Sequence, residues 1–391
     1  MSTAAEASAI RRAIIALGAV CFSGNCGARA ILPVILLLAH DLGEDPTNIA
    51  LLVSAYALPY ALIQPVLGTI GDQFGKIRIM LICAGIMAVS LTASAFVTSF
   101  EVMFVLRMIG GAAGGGTFPL SIAILGDRVP MAGRQVAIGR LLTASVSGGL
   151  AASAVAGPLA DVVGWRGVFL AVAGLAILSF FLLARTFWGA MGGSGGRLDI
   201  RAAWRGYMAV FTHPFAKFCY GFVFIEGIFI HGAIPYVPLL LRDIGETRAT
   251  IAGLVLTGFS LGGVLYSLCV GLLLRFLGQK RMMMGGGMLF AASFIVLSLG
   301  VPWPVQMVVL GATGFGFFLI HNSIQTFVTE LAPEARGTAV SMHSMFFFIG
   351  QALGPIYYGA AFAHFGSVAA LLSGAAAIFC IGLAASRVFF R

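Results

Sequence analysis

Three charged side chains interrupt long apolar runs: Arg29, Arg107 and Glu226. A charge inside a bilayer is expensive, so each is a candidate functional residue. Glu226 is the only carboxylate deep in such a run. A carboxyl caught between burial and a nearby cation can load and release a proton, so Glu226 is the candidate proton carrier, with Arg29 and Arg107 beside it. The alternative for Glu226 is a fixed ion pair with Arg29 that sets helix packing. Arg29 can also hold an anionic group, and Arg107 can instead sit near an interface and snorkel. His231, His321 and His343 titrate near neutral pH, which suits a proton relay, although a lone histidine in a helix more often packs or hydrogen-bonds. His321, Asn322 and Gln325 share one helical face, which Asn25 can join across a cavity. Tyr56, Phe224, Phe318, Phe346 and Phe347 are candidates for an apolar wall.

Other chemistry is missing from the sequence. No nucleophile, base and acid stand at catalytic spacing. The six cysteines all lie in apolar runs, with neither a disulfide framework nor metal-ligand spacing. The glycines at 110, 111, 114, 115 and 116 lack the lysine and hydroxyl ending of a phosphate loop. The expectation is a protein that is not an enzyme and uses neither metal nor cofactor.

The elements that must position these residues are membrane helices. Hydrophobic residues make up 60% of the 391 and charged residues 9%, against about 25% charged in a soluble domain. Mean hydropathy is +1.02. The net charge of +9 forms no dense basic stripe, which argues against nucleic acid. A crossing needs about 20 apolar residues, and the runs fall at 13–39, 48–70, 78–98, 102–126, 136–159, 165–186, 214–241, 249–274, 282–300, 303–328, 337–362 and 367–388. These are spans 1 to 12. The run after Arg11 and Arg12 is too long for a signal peptide and is read as span 1.

Arg166, Arg242 and Arg248 fall on one side, and most other lysines and arginines on the side of both termini. The positive-inside rule then puts both termini in the cytoplasm. Residues 1–186 and 214–391 form two six-helix bundles, joined by a glycine-rich cytoplasmic linker at 187–213 whose later part, 198–211, can form an interfacial amphipathic helix. The halves repeat at an offset of about 202: Arg29, Pro33 and Gly43 answer to His231, Pro235 and Gly245, and Arg134 and Gly164 to Arg336 and Gly366. Such repeats mark transporter folds. The repeat sets Glu226 opposite Gly24, about 7–8 Å along the axis from the level of Arg29.

The loop after span 2 reads Gly68-Thr-Ile-Gly71-Asp72-Gln-Phe-Gly75-Lys76-Ile-Arg78. It resembles motif A of the major facilitator superfamily. Arg107-Met-Ile-Gly110-Gly111 resembles the family's motif B, and Ser147-Gly148-Gly149 with Ala156-Gly157-Pro158 a partial motif C of antiporters. The chain resembles the twelve-helix drug:proton antiporter branch more than the sugar-porter branch. That resemblance implies an all-α membrane protein of two pseudo-symmetric six-helix bundles working by alternating access, usually as a monomer. It implies a cavity lined by spans 1, 4, 7 and 10. It also implies a cytoplasmic latch of Gly68, Asp72, Gly75, Lys76 and Arg78, with Arg336 as counterpart and Asp127, Arg128 and Glu330 completing a charge network.

The expected function is proton-coupled efflux of small, partly apolar molecules across a bacterial inner membrane, with protons and lipid as the other partners. The alternatives are a proton-coupled organic-anion transporter that uses Arg29, and a non-transporting sensor or scaffold.

Overall fold

The computed structural model describes the backbone of residues 3–189, 208, 210–331 and 336–390. Among the described residues every regular element is helical. In hydrocarbon no water satisfies a free peptide group, so a chain this apolar closes its hydrogen bonds within helices. Among the described residues ten helices are long and apolar enough to cross a bilayer. Two of them, Gly133–Phe187 and Thr338–Val388, run to 55 and 51 residues, about twice one crossing. Each turns at a glycine with a left-handed backbone, Gly164 (φ 71°) and Gly366 (φ 80°), and so supplies two spans. The outcome is twelve spans in two halves.

The turn glycines carry the repeat in their backbone angles. Gly43 and Gly245 have φ 67° and 86°, Gly75 and Gly278 have 95° and 69°, and Gly164 and Gly366 form the third pair. A side chain at any of them would be strained.

Spans 1, 4 and 7 are not the continuous helices expected at 13–39, 102–126 and 214–241. Span 1 is helical over Thr3–Arg29, tightens over Leu32–Val34 and resumes at Ile35–Leu42. Span 7 is helical over Ala216–Glu226, widens into a π-helical turn over Gly227–His231, tightens over Ile234–Tyr236 and resumes at Val237–Asp243. The cause is Pro33 and its repeat Pro235. Each lacks an N–H, and its ring crowds the carbonyl four residues earlier, that of Arg29 or His231. Span 4 breaks between Phe100–Gly114 and Thr117–Arg128, at paired glycines. Broken helices of this kind sit where backbone lines a cavity.

The halves meet at the end away from the termini. There Asp161, at the end of span 5, accepts hydrogen bonds from the amides of Ala249 (3.1 Å) and Thr250 (2.9 Å), which open span 8. A Cβ at Gly157 would strike the Ala249 carbonyl, and one at Gly253 the Ser153 carbonyl, so small residues set this contact. Ile49, Trp165, Tyr236 and Val255, from both halves, share one core. Leu17, Ile124 and Leu183 belong to a separate core within the first half, toward the termini. At that end Lys76 pairs with Asp127 (2.8 Å) and Tyr220 Oη donates to the Ala339 carbonyl (3.3 Å), each within its own half.

Candidate transport site

The broken parts of spans 1 and 7 face one cavity between the halves, with an empty volume of about 830 Å³ including its mouth. Its polar wall is Asn25, Arg29, Arg107, His231 and Gln351; its aromatic wall is Tyr56, Tyr60, Phe347 and Phe348. The expected residues Asn25, Arg29, Tyr56, Arg107 and His231 are thus brought together. His321, Asn322, Gln325, Phe224 and Phe346 are not on this wall. Phe346 stacks on Tyr220, centroids 5.2 Å apart, and the Phe224 carbonyl lies against Gly350. Asn25 donates through Nδ2 to Ser145 Oγ at 2.6 Å, within its own half.

Arg107 does not snorkel. Its side chain is buried, and it donates through Nη1 to the Gly27 carbonyl (2.8 Å), through Nη2 to that of Ala28 (3.1 Å) and through Nε to that of Leu52 (3.3 Å). Gly27 and Ala28 lie in the last turn before the break in span 1, where carbonyls lose their helical partners. A cation there supplies the missing donors and sits favourably at a helix C-terminus. Its guanidinium also lies 4.4 Å from the centroid of the Tyr56 ring. Gly110 and Gly111, which follow it, let span 4 touch span 2: a Cβ at Gly111 would strike the Tyr56 carbonyl.

Glu226 is paired with His321 rather than with Arg29. His321 Nδ1 and Glu226 Oε2 share a hydrogen bond of 2.9 Å, with the glutamate side chain 0% and the histidine 14% exposed. His343 lies beside them, its ring centroid 4.8 Å from that of His321. Glu226 Oε1, His231 Nδ1 and His343 Nε2 are buried without a hydrogen-bond partner among the described residues. Unpartnered polar atoms are rare in native interiors and point to groups that exchange partners in function. The pair forms because Glu226 ends the helical part of span 7, just before the π-helical turn, and so faces span 10. The alternative, an ion pair with Arg29, does not form because Arg29 lies about five residues further along the axis and lines the cavity.

Around motif A, Gly75 makes the turn between spans 2 and 3 and Lys76 reaches Asp127. Arg78 is exposed, and Arg128 lies over the Phe187 ring at 4.7 Å. The latch positions Gly68, Asp72 and Arg336 lie outside the residues whose side chains are described. Most of the expected amphipathic stretch, 198–207, also lies outside the described residues.

Sequence reasoning missed Tyr60, Phe348 and Gln351. The available signal was spacing: Tyr60 follows Tyr56, and Gln351 follows Phe347, by one helical turn. His343 is visible in the sequence but not joined to Glu226 there, because nothing local relates spans 7, 10 and 11.

Two repeated helical halves around a polar cavity, entered by broken helices, define a membrane transporter and not an enzyme. The chain belongs to the Major Facilitator Superfamily, whose family profile matches residues 15–247 and again 221–391. Quinolone resistance protein NorA of Staphylococcus aureus (strain MRSA252) is 25% identical, over 86% of each chain. Multidrug resistance protein 1 of Bacillus subtilis (strain 168) is 24% identical, over 87% of each. The crystal structure of the nucleoside transporter NupG superposes with a TM-score of 0.75 at 18% identity, covering 97% of this chain and 99% of that one, which supports the fold alone.

Proposed function

We propose that this protein exports small, partly apolar molecules across a bacterial plasma membrane in exchange for protons, with both termini cytoplasmic. The observation that carries the reading is the buried Glu226–His321 pair with one carboxylate oxygen unpartnered. A pair sealed from water in one state and opened in the other can take a proton on one side and release it on the other. His343 extends the pair and offers the proton a second base. The aromatic walls suit flat, apolar cargo. The resistance proteins among the relatives weigh toward export as the broader role.

In this reading the structure is the state closed away from the termini, held by Asp161 on span 8. The motif A residues Gly68, Asp72, Gly75, Lys76 and Arg78, with Arg336, would close the opposite side in the other state. Arg107 would keep span 1 broken while the halves rock, and so hold Arg29 in the cavity.

The test is efflux from energised cells expressing the protein, over a panel of cationic, zwitterionic and acidic aromatic dyes and antibiotics. The expected outcome is export of some members that collapses with an uncoupler. In Glu226→Gln, with membrane expression unchanged, uncoupler-sensitive export should fall at least about tenfold, as expected for loss of an obligatory proton carrier. Undiminished proton-driven export in that variant would remove Glu226 from the coupling step.

A further inference from the structure

Arg29 stands in the central cavity with a guanidinium that no described residue neutralises. Among the described residues it has neither an ion pair nor a hydrogen bond, unlike Arg107 on the same wall, which donates to three carbonyls. Among the described residues no aspartate or glutamate lines the cavity. The one deep carboxylate, Glu226, is joined to His321.

The site is built for this side chain. Gly149 of span 5 clears the space beside it: a Cβ there would come within 3.0 Å of Arg29 Cδ and 3.2 Å of Nε. The break at Leu32–Val34 frees the backbone around it. His231, its repeat partner, faces the same cavity with Nδ1 unpartnered.

The rest of the wall is aromatic. Tyr56 and Tyr60 stack with centroids 6.0 Å apart, Tyr60 meets Phe348 at 4.5 Å, and Phe348 meets Phe347 at 5.4 Å. A cation in a low-dielectric pocket attracts an anion strongly and repels another cation. A guanidinium matches the two oxygens of a carboxylate or sulfonate in one plane.

We infer that the cargo is an aromatic organic acid: a carboxylate or sulfonate seated on Arg29, with one or two rings against the aromatic wall formed by the tyrosines of span 2 and the phenylalanines of span 11. This rests on the central cavity being the export site, and it narrows the cargo of a drug-type exporter to molecules with an acidic head.

The test uses the full-length protein purified in detergent and equilibrium dialysis with matched probes. These are naphthalene-2-sulfonate, naphthalene-2-carboxylate and 4-phenylbenzoate, each beside its neutral amide, and 2-naphthylmethylammonium as the cation. Acids binding at least about tenfold more tightly than their amides, and the ammonium more weakly than either, would support the inference; tenfold is the size of one charged hydrogen bond. In Arg29→Gln the acid's advantage over its amide should disappear, and in Arg29→Lys part of it should return. Gel filtration and an unchanged unfolding midpoint show that the variants fold, and the wild-type comparison stands without them. If no acid binds more tightly than its amide, the inference is overturned. It is equally overturned if the advantage survives Arg29→Gln in folded protein. Uncoupler-sensitive export of neutral or cationic dyes without acid preference would sink the inference and leave proton-driven export standing. Acid binding on Arg29 without any proton-driven flux would do the reverse.

Discussion

The two halves break their first helix at the same place and repair the break differently. In the first half the orphaned carbonyl of Gly27 receives Arg107 Nη1 at 2.8 Å. In the second half the repeat-related carbonyl of Phe229 receives the hydroxyl of Tyr358 at 2.9 Å. One half therefore uses a buried cation from span 4 and the other a neutral phenol from span 11. The cavity wall inherits the difference. The first half brings two arginines to it, and the second brings His231 and, behind the wall, the Glu226–His321–His343 group. Duplication supplied the geometry twice, and divergence put fixed positive charge in one copy and titratable groups in the other.

The strongest challenge to this asymmetry is to remove the charged repair. Arg107→Leu removes the side-chain donors from the carbonyls of Gly27 and Ala28 at the helix break, away from water, at about 1–3 kcal/mol for each unsatisfied group. The expected result is a loss of several kcal/mol, read as poor extraction or a steep fall in unfolding midpoint in detergent. A variant as stable as wild type would mean that the break is held by its proline alone.

A second asymmetry lies at the ends of the related spans 2 and 8 that face away from the termini. Span 2 carries its own N-cap: Asp45 accepts from the Thr47 amide at 2.7 Å. Span 8 begins after Arg248, which makes no side-chain cap, and takes Asp161 from the other half. The same interaction thus stabilises one helix locally and ties the two halves together at the other. Asp161→Ala removes a two-bond cap worth about 1 kcal/mol from the state closed away from the termini. Labelling of a single cavity cysteine by a membrane-impermeant reagent added outside should rise about fivefold. No rise would mean that glycine packing alone keeps that side shut.

The neutral repair is the milder test. Tyr358→Phe removes one hydroxyl from the Phe229 carbonyl and should cost about 1 kcal/mol, a shallow fall in unfolding midpoint beside that of Arg107→Leu. Equal losses in the two variants would erase the distinction between the halves.

Twelve spans, the duplicated halves and the turn glycines at 43, 75 and 164 with their repeats were legible in the sequence, because hydropathy and glycine backbone freedom are local. The prolines at 33 and 235 were visible as repeated residues, yet their effect on the helix was not, since an apolar run looks continuous whether or not its hydrogen bonds are. Arg29, Arg107 and Glu226 stood out by charge. Their partners did not, because Arg107 bonds to backbone carbonyls, which leave no trace in composition, and Glu226 finds His321 ninety-five positions away. Asp161 falls between the apolar runs of spans 5 and 6, and only the packing of span 5 on span 8 gives it a helix to cap.

Asp45 supplies the smallest effect and the control for Asp161. Its carboxyl is held below the usual aspartate range, first by the Thr47 hydroxyl and then by the Thr47 amide. A depressed folded value means that the contribution is fully present above the unfolded value, near 3.8, and is lost as pH falls through the lower folded one. Asp45→Ala should therefore cost no more than about 1 kcal/mol at neutral pH, as an exposed N-cap does. The gap to wild type should shrink as the pH drops below the ordinary aspartate range. The cap lies within one half, so outside labelling of the cavity cysteine should stay at the wild-type level. Labelling that rises as in Asp161→Ala would show that any weakened outer helix end opens the cavity, and that the cross-half position of Asp161 carries no special role.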